Sequence, residues 1–259
     1  MSTIKGAVAV VGSTARATAI AQICQDAGRQ VVTVPDEQGD PLGTLLAGVG
    51  GEGDEIGLVI EATDRDAEPA AALVRELSRH VPGALAATTA VTRSVTALAG
   101  HWPEPGRVAG LHFIDPVDTT RLVEVVAALT TDRDTLDLLV AFVGELGREA
   151  VEVRDRPGFL VDRLLRPYLN DVIQAYDDGL ATAADIDVAI ELGLGYPVGP
   201  LALLDAIGID RHLEVTSALH RASGDPQFAP PALLTRMVEA GYMGGHAEAG
   251  FRSLEEETS

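Results

Sequence analysis

The sequence predicts an α/β chain: a doubly wound sheet over residues 1–155, followed by an all-α domain over residues 156–259. Three observations carry this expectation. KGAVAVVG (5–12), TARATAIAQICQDAG (14–28) and RQVVTVPD (29–36) read as strand, helix and strand around a glycine turn, a βαβ unit whose default is a parallel sheet. Strand-like and helical runs then alternate as far as residue 154, and from Asp155 onward only helical spacing remains.

The first strand is a run of small and β-branched residues ending at Gly12, and the first helix shows its spacing through Ile20 and Ile23 before closing at Gly28. GLVIEAT (57–63) reads as a strand, EPAAALVRELSRHV (68–81) as a helix and ALAATTAV (84–91) as a strand. VAGLHF and RLVEVVAAL follow as two strands, LDLLVAFVGELG (136–147) as a helix and AVEVR (150–154) as the closing strand. In the second domain, PGFLVDRLLRPYLNDVIQAYDDG (157–179) carries Phe159, Leu160, Leu164, Leu165, Leu169, Val172, Ile173 and Tyr176 on one broad helical face. Thr182 and Asp185 have the spacing of a capping box. After the connector LGLGYPVGP (192–200), helical runs are expected at 201–221 and 230–241, with the tail SLEEETS fraying.

Composition excludes several classes of function. The formal charge is −20 and the acidic residues are spread along the chain, which argues against a nucleic-acid or anionic-membrane surface. No apolar run is long enough to span a bilayer, and MSTIKGAVAVVGS enters a strand pattern too directly to read as a signal peptide. The single cysteine, Cys24, permits no intrachain disulfide and fits a reducing compartment, so a cytoplasmic setting is expected. Lys5 is the only lysine and precedes the first strand, which removes mechanisms that need an internal lysine. No metal-ligand set is expected.

The first turn, Gly12-Ser13-Thr14-Ala15-Arg16-Ala17, stands where a dinucleotide site wants G-x-G-x-x-G. Only the first glycine is present. Ala17 is small enough for the third position, while the β-branched Thr14 occupies the place where pyrophosphate meets bare backbone. Pro35 holds the usual position of the ribose-binding acid, and Asp36 comes one residue later. The candidate cofactor contacts are Gly12, Ser13, Thr14, Ala17, Asp36 and Glu61, the last at the end of the third strand. A βαβ unit that no longer binds nucleotide is the alternative.

GLHFIDPVDTTRLVEVV (110–126) sets two ionisable residues, His112 and Glu124, in apolar runs joined by the turn residues Asp115 to Asp118. Two strands so joined can lie antiparallel and bring both side chains together. The carboxylate would then hold the imidazole in one tautomer and balance its charge, as in acid/base catalysis. A buried salt bridge that only fastens the hairpin is the structural alternative.

This segment resembles GLHFFNPVPVMKLVEVV of the L-3-hydroxyacyl-CoA dehydrogenase family. The resemblance continues through DRPGFLVDRLLRPYLNDVIQAYDDG, DIDVAIELGLGYPVGPLALLDAIGID and AEAGF, covering residues 106–251. It implies a Rossmann-like first domain, NAD as cofactor, and a helical second domain for substrate and homodimer contacts. It also implies a 3-hydroxyacyl thioester or related 3-hydroxy acid as substrate, with His112 as general base and Glu124 as its orienting partner.

The departures from the family are specific. Asp162 stands at the position of a supporting asparagine, and ionised aspartate only accepts hydrogen bonds where asparagine also donates. An i,i+4 pair with Arg166 on the helix surface is its structural alternative. Val91 aligns with the serine of the family's NTSSL motif, leaving Thr89, Thr92 and Ser94 as neighbouring hydroxyls. Strand alternation would turn Thr89 to the side of Val91 and Thr92 to the other. The long helical arm that the family inserts after the second strand is replaced by an acidic crossover of about 20 residues with Glu52, Asp54 and Glu55. If Asp36 reaches the ribose, it favours NAD over NADP by repelling a 2′-phosphate.

Two classes of function follow. One is an NAD-dependent dehydrogenase that converts a 3-hydroxyacyl thioester to its 3-keto form. The other is a non-catalytic descendant that keeps the fold as a binding or assembly partner. Hydroxyacid dehydrogenases that use a catalytic lysine are excluded by the position of Lys5.

Overall fold

The computed structural model describes residues 3–36, 55–245 and 249–258. The expected crossover lies mostly outside them, including Glu52, Asp54 and the place of the missing arm. Among the described residues no helix is long and apolar enough to cross a membrane. The chain divides into two compact units, Met1–Phe159 and Leu160–Ser259.

In the first unit a seven-stranded sheet runs in the order β2-β1-β3-β4-β5-β6-β7. Its strands are β1 (Ala7–Val11), β2 (Val31–Val34), β3 (Ile56–Glu61), β4 (Leu85–Thr88), β5 (Val108–Phe113), β6 (Leu122–Ala127) and β7 (Glu149–Arg154). β1 to β5 are mutually parallel, β6 is antiparallel to β5, and β7 is parallel to β6. Helices α1 (Ala15–Asp26), α2 (Ala67–Ser78), α3 (Val95–Ala99) and α4 (Arg133–Glu145) connect them. The chain leaves β1 toward β2 on one side and resumes at β3 on the other, so the strand order switches direction beside β1. Such switch points, at the carboxyl ends of the strands, are where doubly wound folds bind ligands. Val8, Val10, Leu58, Ile60, Leu111 and Phe113 lie in the core from which these strand ends project.

Two expectations change here. The strand at 84–91 stops at Thr88, where Thr88 Oγ1 accepts the Ala90 N–H and starts a turn, so strand alternation does not govern Thr89, Val91 and Thr92. α3 had no periodic signal, and it forms because Ser94 accepts the Ala97 N–H as its cap.

The second unit is helical: α5 (Val161–Asp177), α6 (Ala183–Leu194), α7 (Pro200–Ile207), α8 (Ile209–Ser223), α9 (Ala232–Glu239) and α10 (Phe251–Thr258). Leu169, Ile173, Leu201, Leu204, Leu234, Met237 and Phe251 form its core. The Thr182–Asp185 cap is present, with Thr182 Oγ1 accepting the Asp185 N–H at 3.1 Å. Asp187 is buried and caps the start of α7 by accepting from the N–H groups of Leu201 and Ala202.

Three helical expectations are corrected. The run 201–221 is two helices, because Gly208 takes φ 94° between them. The broad apolar face of 157–179 is narrower, since α5 starts at Val161 and leaves Leu164 exposed. The tail from residue 253 is helical as far as Thr258, in α10 behind buried Phe251, whose N–H donates to Asp205 Oδ1 at 2.9 Å.

Candidate active site

His112 on β5 and Glu124 on β6 are direct partners across the antiparallel ladder. A carboxylate can only accept, so His112 Nδ1–H donates to Glu124 Oε2 at 2.6 Å, and the neutral ring then carries its lone pair on Nε2. Both residues are buried. The hairpin therefore fixes tautomer and ring plane together, the arrangement a general base requires.

The PGF turn adds a residue that helical periodicity mistook for a helix face. Gly158 has φ 80° and Phe159 φ 46°, both left-handed, and Phe159 sets its ring edge-on to His112 with centroids 5.5 Å apart. A left-handed phenylalanine costs roughly 1–2 kcal/mol. The sequence signal for it is the Pro-Gly pair immediately before, which breaks the helix and permits the reversal.

At the first turn, Gly12 has φ 147°, and a Cβ there would stand 2.5 Å from the Ala62 carbonyl oxygen. Glycine is required by this close approach of the β1 and β3 ends. Thr14 is the cap of α1: its Oγ1 accepts the Ala17 N–H at 3.0 Å and donates to Ala62 O at 3.3 Å. The hydroxyl thus takes one of the first-turn donors that a bare glycine would leave for a phosphate. Arg16 pairs with Asp115 in the loop after His112.

Ser13 Oγ accepts the Asp36 N–H at 3.2 Å and so ties the turn to the end of β2. Asp36 is buried, and among the described residues its Oδ1 has no hydrogen-bond partner while Oδ2 faces Arg65. A buried carboxylate oxygen without a donor is costly and fits a ligand that brings a hydroxyl, such as the adenosine ribose of a dinucleotide. The residues at this strand end therefore fit NAD.

Glu61, at the end of β3, is the centre of a buried polar cluster. It is 1% exposed, and its carboxylate accepts from Arg93 Nη2 at 2.7 and 2.8 Å, from Thr88 Oγ1 at 2.7 Å and from Thr63 N–H at 3.1 Å. It is an interior hub that fastens the ends of β3 and β4. Thr89 and Val91, just after β4, are buried, the Thr89 N–H donating to the Glu61 carbonyl at 2.9 Å, and Thr92 is half-buried. Arg93, Thr63 and Thr88 escaped the sequence reading because only the fold brings them to one carboxylate.

In the second unit Asp162 belongs to a buried chain of polar groups. Arg166 Nε donates to Asp162 Oδ1 at 2.6 Å, so the expected i,i+4 pair exists, yet both side chains are buried rather than on the helix surface. Arg166 Nη1 donates to His212 Nδ1 at 3.0 Å; His212 Nε2–H therefore donates to Asn170 Oδ1 at 2.9 Å, and Asn170 Nδ2 to Thr216 Oγ1 at 2.9 Å. Burial first, and the Arg166 charge second, push the His212 imidazole down to about 3, which keeps it neutral.

Comparison with known proteins agrees with this geometry. Residues 51–156 match the family model "3-hydroxyacyl-CoA dehydrogenase, NAD binding domain", and residues 158–253 match "3-hydroxyacyl-CoA dehydrogenase, C-terminal domain". A probable 3-hydroxybutyryl-CoA dehydrogenase of Bacillus subtilis is 36% identical over 209 residues, 80% of this chain and 73% of that protein. The crystal structure of FadB2 from M. tuberculosis superposes with a TM-score of 0.85 at 32% identity, covering 96% of this chain and 99% of that one. The (S)-3-hydroxybutyryl-CoA dehydrogenase of Ralstonia eutropha gives 0.81 at 28% identity, covering 95% and 97%.

Proposed function

The chain belongs to the 3-hydroxyacyl-CoA dehydrogenase family, and from that premise we propose that it interconverts a 3-hydroxyacyl thioester and its 3-keto form with NAD. The observation that carries the reading is the His112–Glu124 pair, buried and held at 2.6 Å across paired strands. His112 Nε2 takes the proton of the 3-hydroxyl as the C3–H bond breaks, and in the reverse direction returns it to the alkoxide oxygen. Glu124 keeps Nδ1 protonated, orients the ring and balances the charge that the ring gains. NAD supplies the hydride acceptor. Gly12, Ser13, Thr14, Ala17 and Asp36 would hold the cofactor, with Asp36 Oδ1 accepting from the ribose and Gly12 admitting the close turn.

Asp162 is assigned a supporting role from its place at the family's asparagine position, and Thr89, Val91 and Thr92 a role at the edge of the substrate site. A homodimer through the helical unit is supported by Leu164, Leu180, Leu192 and Leu194, which are each more than 60% exposed. A cytoplasmic setting accords with the lone reduced Cys24.

The test is a pair of measurements on purified protein with 3-hydroxybutyryl-CoA. NADH is expected to bind, seen as a thermal shift, and NAD to be reduced. His112→Ala should lower turnover by about 10²–10⁴-fold while preserving the NADH shift. Turnover unchanged in His112→Ala would remove the base assignment. No NADH binding at millimolar concentration would favour the non-catalytic descendant.

A further inference from the structure

The ribose acid has a cation beside it. Asp36 Oδ2 lies 3.2 Å from Arg65 Nε, and Arg65 Nη2 donates to the Asp36 carbonyl. An acid alone at this position repels a 2′-phosphate, whereas an arginine beside it accommodates one. On the basis of the NAD reading above, we propose that Arg65 is a specificity residue that lets this site take a 2′-phosphorylated nicotinamide dinucleotide as readily as the unphosphorylated one.

The guanidinium has donors available for this. It carries five N–H bonds, of which Asp36 takes two, and no other acceptor for it occurs among the described residues. Its side chain is 34% exposed, so the remaining donors are reachable by a ligand, whereas the Asp36 side chain is 7% exposed. A phosphate ester on the ribose hydroxyl that meets Asp36 would lie within reach of the same guanidinium, in the planar fork geometry that suits phosphate.

The arginine is also held in place. Arg93, anchored on buried Glu61, donates through Nη1 to the Arg65 carbonyl, so the backbone that presents the guanidinium is tied to the β3 and β4 ends. Less freedom is therefore lost on binding. The same geometry sets a limit. Asp36 keeps one buried oxygen for a plain ribose hydroxyl, and Asp64 and Asp66 flank Arg65 in sequence, so the attraction is offset and parity between the two cofactors is the expected result.

Fluorescence titration of the full chain with NADH and with NADPH tests this. The two dissociation constants should agree within about threefold, and Arg65→Ala should raise the ratio of the NADPH to the NADH constant by about tenfold or more. Arg65→Gln, which loses the charge but can still donate to Asp36, should raise that ratio likewise, and a cooperative thermal melt shows that the variant is folded. NADH binding without NADPH binding in the unaltered chain would overturn the Arg65 assignment and leave the NAD reading standing. Equal weakening of both cofactors in Arg65→Ala would reduce Arg65 to a support for Asp36 and overturn it too. Binding of neither cofactor would remove the NAD reading, and this inference with it.

Discussion

Glu124 Oε2 lies 2.6 Å from His112 Nδ1, and the two residues are direct cross-strand partners at the β5–β6 ladder. Register and chemistry are therefore one constraint, because a one-residue slip of either strand would turn its member of the pair to the opposite face of the sheet from the other. Glu124→Gln preserves an acceptor for Nδ1–H and removes the balancing charge. Its expected effect is a fall in kcat of about ten- to a hundredfold with KM little changed, measured by steady-state kinetics. A proportional rise in KM would assign the pair to binding instead.

Thr14 trades phosphate access for a helix cap. Thr14→Gly should tighten NADH binding several-fold, because the Ala17 N–H is released toward the cofactor. Glycine is itself a tolerable cap, so the stability cost should be only a few tenths of a kcal/mol by urea denaturation. Weaker NADH binding in this variant would mean that the threonine hydroxyl is itself a ligand.

Glu61 and Arg93 form a buried pair with side chains 1% and 11% exposed. Arg93→Leu leaves the carboxylate uncompensated and should destabilise the protein by about 3 kcal/mol or more. Glu61→Gln in the Arg93→Leu background should recover part of that loss, since the remaining amide is neutral. Chemical denaturation of the four proteins in a double-mutant cycle checks the coupling.

His212 makes the helical unit sensitive to acid. Its folded value, about 3, lies below its ordinary one of 6.5. A depressed group stabilises the fold fully above its unfolded value and loses that contribution as the pH falls toward the folded one. Between about pH 7 and about pH 5 the loss should be about 2 kcal/mol, at about 1.4 kcal/mol per pH unit. His212→Gln, though less stable at neutral pH, should show a flatter stability profile over this interval; an unchanged slope would show that His212 is not its source.

Much of the site was legible before any fold was known. His112 and Glu124 stood out because ionisable residues in apolar runs require a reason, the dinucleotide fingerprint exposed the weakened turn at Gly12, and the family motifs carried Asp162. The physical signal was local in each case: burial pattern, turn residues and spacing along one segment. Phe159 was visible as a residue but assigned to the wrong surroundings, since helical periodicity runs through it while Pro157 and Gly158 divert the backbone.

What sequence alone determined is the class of each half, the hairpin and the two ionisable residues that it pairs, because patterning and turn chemistry are encoded within a few tens of residues. Tertiary structure decided which partners meet. It gave Glu61 its buried partners Arg93, Thr63 and Thr88, buried Asp162 with Arg166 and a neutral His212, and set Arg65 against Asp36. Those pairings join residues from 2 to 46 positions apart. A charged side chain far along the chain leaves no mark on the local pattern of its partner, and only the packing of strand ends and helices selects which opposite charge stands beside it.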